Sequence, residues 1–327
     1  MKEFFKNIGA VIIICAMIIA GVLYLGELFS PFYTTDTNDT IQAFHDLEEN
    51  TVEVIVYGSS HAWKGFDVMA MYEEYGIGAY NYGCNWQHIN TTRLFIEDSF
   101  RTQKPKVLLI ETYIVGELLM NMDMNGEVFY TREISHFDGK QRYLEQVFGE
   151  ERQRYISYYI PFVAFHSNWN NLTRENFDKD MNTIDFKKTM GYYGSSSVMK
   201  VEMPDYTEQY QADLGINATE QLDAIVELCK ENDVEIIFYT APHAYEHRYY
   251  NAMKEYAEKT GTKYFNLLEY MDEMDFDPDT DFWDKGHLNS SGSKKVALFL
   301  GKYIVENYDV TDMRDIKDNQ WQKNLEN

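Results

Sequence analysis

Cysteine is scarce in this chain. Cys15, Cys84 and Cys229 are the three in 327 residues, and none stands in a C-x-x-C pair. Three thiols cannot build a disulfide framework, and a chain of this length has a large enough core to need none. Basic residues are also in short supply: 29 Lys and Arg face 53 Asp and Glu, for a net charge of −24. Phosphate binding needs a basic face, so nucleic acid is not an expected partner. No internal repeat is visible, and a single long apolar run occurs. With 45% hydrophobic and 16% aromatic residues, the chain is too apolar to be mostly disordered.

The apolar run extends from Ile8 to Leu25 (IGAVIIICAMIIAGVLYL), with Lys2 and Lys6 before it and Glu27 after it. About 18 apolar residues just span a bilayer as a helix. The basic flank should stay in the cytoplasm, which puts everything after residue 30 outside a single-pass cell-membrane protein. A cleaved signal peptide is the competing reading. The following stretch, GELFSPFYT, has no small-x-small cleavage site, and Cys15 lacks the small residues of a lipobox. We therefore expect an uncleaved signal anchor in 1–30, a short tether leading into a helix over 31–50, a folded domain over 51–310 and a frayed polar tail over 311–327.

Within that domain, β-branched and apolar runs alternate with amphipathic segments. VEVIVYG (52–58), AYNYG (79–83), KVLLIET (106–112), VEIIFYTAP (234–242) and KYFNL (263–267) read as strands. Helices are expected over 86–103, 217–232 (with Asn217 and Glu220 as a capping pair), 245–260 and 290–307. This alternation predicts an α/β three-layer sandwich with a mainly parallel five-stranded sheet. Ligands in such folds sit at the carboxyl ends of the strands. Residues 113–216 break the rhythm, are rich in Tyr, Phe, Asn and Met, contain at least one helical stretch (GEERQRYISYYIPFVAFH, 149–166), and read as an insertion over the sheet edge, a candidate lid.

The strongest chemical signal is Gly58-Ser59-Ser60-His61, directly after the first strand. Glycine permits a sharp turn there, and a serine two residues on stands at the top of the sheet, where backbone N–H groups can stabilise an oxyanion. A serine needs a base to become a nucleophile. Asp284-Lys285-Gly286-His287, before the closing helix, offers one: a D-x-x-H turn can fold the carboxylate back onto the imidazole. Each half alone reads equally as turn and cap chemistry; together they point to a nucleophile and its base.

GSSH after the first strand, NYG after the second and DKGHLNSSG before the last helix resemble the SGNH (GDSL-like) hydrolase superfamily. Within it, the chain is similar to membrane-anchored members acting on cell-envelope polymers, such as the D-alanyl-lipoteichoic acid biosynthesis and alginate O-acetylation proteins. The resemblance covers residues 52 to about 306, with the insertion unmatched. It implies Ser60 as nucleophile, Asp284 and His287 as its partners, and the Ser60 and Gly83 N–H groups as oxyanion donors. The family's G-x-N-D turn after the third strand is absent; Glu111-Thr112-Tyr113 stands there. Asn85 is the candidate to replace its asparagine, against a reading as a loop residue bonded to its own backbone.

Ser59, His61, Thr112 and His243 are further candidates for the substrate pocket. Ser59 could be the nucleophile, but the G-x-S spacing favours Ser60. His243 and His247, with Glu246 between them, are spaced like zinc ligands but lack a third ligand nearby, so no metal or cofactor is expected. The acidic run Asp275, Asp277, Asp279, Asp281 lacks the glycine and terminal glutamate of a calcium loop and reads as solvated. Trp169, Tyr192, Tyr193, Tyr206 and Tyr210 could stack on sugar rings or simply fill a core. The expected function is an extracytoplasmic serine enzyme handling O-acyl esters on a cell-envelope polysaccharide or teichoic-acid-like polymer, as O-acetyltransferase or esterase. A multi-spanning membrane acyltransferase is the natural partner of a transferase. The alternative is a non-catalytic scaffold for polymer modification or export.

Overall fold

A computed structural model describes residues 2–30, 35–118, 126–134, 137–177, 184–204, 212–245 and 249–326. The chain divides into two compact units. One comprises Met1–Asn38, Met120–Arg132 and Leu144–Thr183; the other comprises Asp39–Leu119, Glu133–Tyr143 and Ile184–Asn327.

The larger unit holds the sheet. Strands β1 (Val54–Tyr57), β2 (Ala79–Asn81), β3 (Val107–Glu111), β4 (Glu235–Thr240) and β5 (Lys263–Asn266) form one five-stranded sheet in the order β2-β1-β3-β4-β5. Every pairing is parallel, with Tyr57 beside Ile110 and Ile110 beside Phe238. β1 and β3 are buried along their whole length, as their unbroken apolar sequences require of strands covered on both faces. Right-handed crossovers then fix the sides of the helices. α4 (Val68–Tyr75) covers one face and packs on the closing helix α12 (Ser290–Asn307). α5 (Ile89–Ser99) and α10 (Ile216–Glu231) pack together on the other face. The strand order reverses between β1 and β3, so the switch point lies at their carboxyl ends.

Four expectations are corrected here. α10 starts at Ile216 behind Gly215, without a side-chain cap, so Asn217 and Glu220 do not form the expected pair. The helix expected at the end of the tether is α2 (Thr35–His45), which fills most of 31–50 and is packed rather than linking: Ile41 and Phe44 are fully buried, and Phe44 stacks on Tyr82 at 4.3 Å. The polar tail is built in rather than frayed. Its helix α13 (Gln320–Glu326) buries Trp321, whose indole N–H donates to the Ala79 carbonyl (2.8 Å). The 113–216 insertion is also divided. Residues 184–204 belong to the larger unit, where the Tyr192 hydroxyl bonds Ser293 (2.6 Å) and the Tyr193 N–H donates to the Trp63 carbonyl (3.0 Å).

The smaller unit is built around α1 (Lys2–Phe29), of which Asn7–Phe29 is long and apolar enough to cross a membrane. α7 (Arg152–Tyr159), α8 (Pro161–Phe165), a 3-10 turn over His166–Asn170 and α9 (Arg174–Phe177) accompany it. Pro161 opens α8, where its missing N–H leaves no bond unmade. Tyr158, Phe148 and Tyr130 are buried in this unit, and the Tyr158 hydroxyl bonds Thr131 (3.0 Å).

Candidate active site

β1 ends at Tyr57 and the chain turns at once. Gly58 has φ +140°, and a Cβ there would lie 2.7 Å from the Glu111 Cβ at the end of β3, so only glycine fits. The Gly58 N–H donates to the Gln87 side-chain oxygen (2.9 Å). Ser59 caps the short helix α3 (Ser60–Trp63), its Oγ accepting the His61 N–H (3.3 Å). Ser60 is the first residue of that helix. Asn81, at the end of β2, ties the next loop to it: Nδ2 donates to the carbonyls of Ala62 and Phe66 (both 2.9 Å), and Oδ1 accepts the Gly83 N–H (3.1 Å).

The loop before α12 supplies the rest. Asp284 Oδ1 accepts the N–H groups of Gly286 (2.8 Å) and His287 (2.9 Å), which folds the carboxylate back over its own turn. His287 Nδ1 lies 2.9 Å from Asp284 Oδ2, and His287 Nε2 lies 2.7 Å from Ser60 Oγ. Two stretches 227 positions apart in sequence thus meet in one carboxylate–imidazole–hydroxyl line. Burial would raise the Asp284 carboxyl, but the His287 side chain and the turn N–H groups hold it below the usual carboxylate range. Burial, and then the Lys64 ammonium, lower His287 against the pull of Asp284, so the ring is neutral at pH 7. A neutral ring donating Nδ1–H to Asp284 presents an Nε2 lone pair to the Ser60 hydroxyl. Such a line can move a proton from hydroxyl to imidazole while the carboxylate stabilises the imidazolium.

A second polar set lies behind the first. Ser59 Oγ is 3.4 Å from both Glu111 Oε2 and His61 Nδ1. Burial pushes the Glu111 carboxyl up to about 8, despite N–H bonds from Tyr113 and Ala241 and the Ser59 hydroxyl. His61 is buried, stacks on Tyr113 (3.8 Å between centroids) and lies 5.3 Å from the His287 ring. Burial, reinforced by His243, His287 and Lys64, keeps His61 neutral. Its Nε2 has no hydrogen-bond partner among the described residues. His243 is also buried, sits edge-on to His61 at 5.5 Å, and accepts the Tyr245 N–H on Nδ1 (3.2 Å).

Ser60, Asp284, His287, Ser59, His61 and His243 are thus brought together as the sequence suggests. Asn85 is half-buried at the loop after β2, with no side-chain hydrogen bond among the described residues. Two candidates are otherwise engaged. The Gly83 N–H, expected as an oxyanion donor, is taken by Asn81. Thr112 is fully buried and its hydroxyl bonds the Tyr239 carbonyl (3.1 Å) and Thr240 (2.7 Å), which anchors it to β4 rather than to a pocket.

Among the described residues no group of three His, Cys, Asp or Glu could hold a metal; Glu246 and His247 lie outside them. The acidic run is not simply solvated. Asp281 is buried, accepting the Asp277 N–H (2.7 Å) and pairing with Lys295 (2.7 Å). Of the candidate stacking aromatics, Tyr192 is core, Trp169 is exposed, and Tyr193 stacks on Trp283 (6.0 Å, 6° between planes). Tyr206 and Tyr210 lie outside the described residues. The sequence reading missed Asn81, Gln87, Glu111 and Lys64. Lys64 Nζ sits 4.5 Å over the Trp283 ring, and its ammonium acts on His287. An asparagine or glutamine within a few residues of a strand end was the available signal for the first two. No protein-family model matches this chain, and no curated protein is significantly similar to it.

Proposed function

We propose that this protein is a membrane-held, serine-dependent acyl-ester enzyme of the SGNH type, acting on O-acyl groups of a cell-envelope polysaccharide. The observation that carries this reading is the 2.7 Å contact of Ser60 Oγ with a neutral His287, backed at 2.9 Å by Asp284. Ser60 Oγ attacks the acyl carbonyl carbon as His287 Nε2 takes its proton. The ester C–O bond then breaks, and His287 returns the proton to the departing alkoxide. The acyl-Ser60 ester is resolved by a second hydroxyl, from water in hydrolysis or from a sugar in transfer, with His287 again as base. The Ser60 N–H and the Asn85 side chain are the donors assigned to the oxyanion, because the Gly83 N–H is in use.

Transfer is favoured over hydrolysis by the apolar helix, which keeps the site where polymer and an acyl-exporting membrane partner meet. A non-catalytic scaffold is the second reading, favoured by the engaged Gly83 N–H and by Glu111-Thr112-Tyr113 in place of G-x-N-D. The test is turnover of an aryl acetate by the detergent-solubilised chain, followed by mass analysis of an added sugar oligomer. Turnover lost in Ser60→Ala supports the enzyme, and an acetylated oligomer supports transfer. Turnover absent from the wild type, or retained in Ser60→Ala, refutes the reading.

A further inference from the structure

The segment from Arg152 to Phe177 is poor in acids for so acidic a chain, with Glu175 its single one. Where the whole protein carries 53 acidic residues, residues 152–174 carry none, with three arginines at 152, 154 and 174. Among the described residues of the smaller unit, this segment carries large apolar side chains turned outward beyond those of α1. Ile156, Tyr159, Ile160, Val163, Trp169 and Phe177 are all exposed, Trp169 at 67%. Tyr158 and Phe165 of the same helices are buried, so the segment has a conventional core side as well. A sequence that keeps an apolar face in water ordinarily does so for a partner.

These elements are fastened to the last turn of α1. Gly26 is buried there, with a Cβ position 2.7 Å from the Phe162 nitrogen, a spacing that only glycine allows. The carbonyls that end α1 have no helical partners. The Asn168 Nδ2 donates to Phe29 O (3.2 Å), and the Asn176 Nδ2 donates to Leu28 O (3.0 Å) and Ser30 O (3.3 Å). Glu27, an acidic residue in that turn, pairs with Arg132 (3.2 Å). The membrane-length window Asn7–Phe29 ends in this same turn. The exposed apolar and aromatic side chains therefore belong to elements attached at the level where the bilayer's hydrocarbon gives way to headgroups. Trp and Tyr concentrate at that level, and exposed apolar side chains in a segment with three arginines and one acid fit a lipid interface.

We propose that residues 152–177 are a collar seated in the interfacial layer of the lipid bilayer, around the end of α1. The occupant of the apolar face is lipid. This rests on α1 being a retained anchor, as the functional reading assumes. The full chain is reconstituted in nanodiscs of phosphatidylcholine and phosphatidylglycerol, with plain or brominated acyl chains, and its N-terminus is checked by intact mass. The Trp169 emission is taken as the difference between wild type and Trp169→Phe. It is expected to lose most of its intensity in brominated lipid and to resist aqueous iodide. Equal emission in both lipids with strong iodide quenching, in a chain that retains α1, overturns the collar alone and leaves the face to a protein. A mature chain lacking α1 overturns the anchor reading and the collar with it.

Discussion

Two acid–serine–histidine sets meet at the carboxyl ends of β1 and β3, and the difference between them is instructive. In the first, the order is Asp284, His287, Ser60, with contacts of 2.9 and 2.7 Å. In the second, the serine lies between: Glu111, Ser59, His61, with contacts of 3.4 Å. Asp284 is 44% exposed and collects two turn N–H groups and an imidazole, so its carboxyl stays ionised. Glu111 also receives N–H bonds, yet burial outweighs them and its carboxyl is neutral at pH 7. The same residue types thus give opposite electrostatics. In the outer set an ionised acid supports a base aimed at a hydroxyl. In the inner set a neutral acid and a neutral imidazole hold a turn.

That contrast is broken or sharpened by substitution. Ser60→Ala is expected to lower acyl-ester turnover by about 10⁴-fold or more, whereas Ser59→Ala stays within about tenfold of wild type. Initial rates on an aryl acetate compare the two, and equal losses would erase the distinction between the sets. Asp284→Asn is expected to lower kcat by about 10⁴-fold through the wrong imidazole tautomer, and Glu111→Gln by less than about tenfold. Asn85→Ala removes an oxyanion donor and should lower kcat by about 10²-fold with little change in KM; an unchanged kcat would return Asn85 to the loop.

The two acids also differ in their effect on stability. Glu111 binds its proton up to about pH 8 in the folded state, against about 4.3 in an unfolded chain. Through that window the native state holds more protons, so its contribution to stability is full below it and is lost as pH rises. Glu111→Gln should flatten a decline of several degrees in melting temperature between about pH 5 and about pH 8. Asp284 has the opposite sign: its contribution is present above the unfolded value and lost as pH falls through its lowered one. The smallest effect is expected at Lys64. His287 is lowered by burial and by that ammonium, so the acid limb of kcat/KM should have its midpoint below about 6.5. Lys64→Met should move that limb upward; a downward shift would contradict the assignment.

How much was legible in sequence follows from how local each signal is. β1, β3 and β4 are continuous apolar runs because parallel strands are covered on both faces, and their limits fell within about two residues of the structure. Gly58-Ser59-Ser60 and Asp284–His287 announce themselves through turn chemistry within four residues. Glu111 does not. Its neutrality depends on burial that outweighs the hydrogen bonds from Ser59, Tyr113 and Ala241, and that burial is set by segments far apart in sequence. The loss of the Gly83 N–H to Asn81 is similarly a matter of side-chain placement, since asparagine two residues before a glycine is common in loops. α4 went unread although Asp67 caps it and Gly76 ends it in the left-handed region, because its eight residues carry too little periodicity. The packing of the tail is illegible for a similar reason: Trp321 is an isolated apolar residue in polar surroundings, and only the fold shows the hole it fills.

The most direct measurement is peptide mapping by mass spectrometry after acid quench of the chain mixed with an excess of aryl acetate. The account predicts one acetyl ester, on Ser60, that is absent from His287→Ala and still present in Ser59→Ala. An ester on Ser59, or no ester in a chain that turns the substrate over, would contradict it.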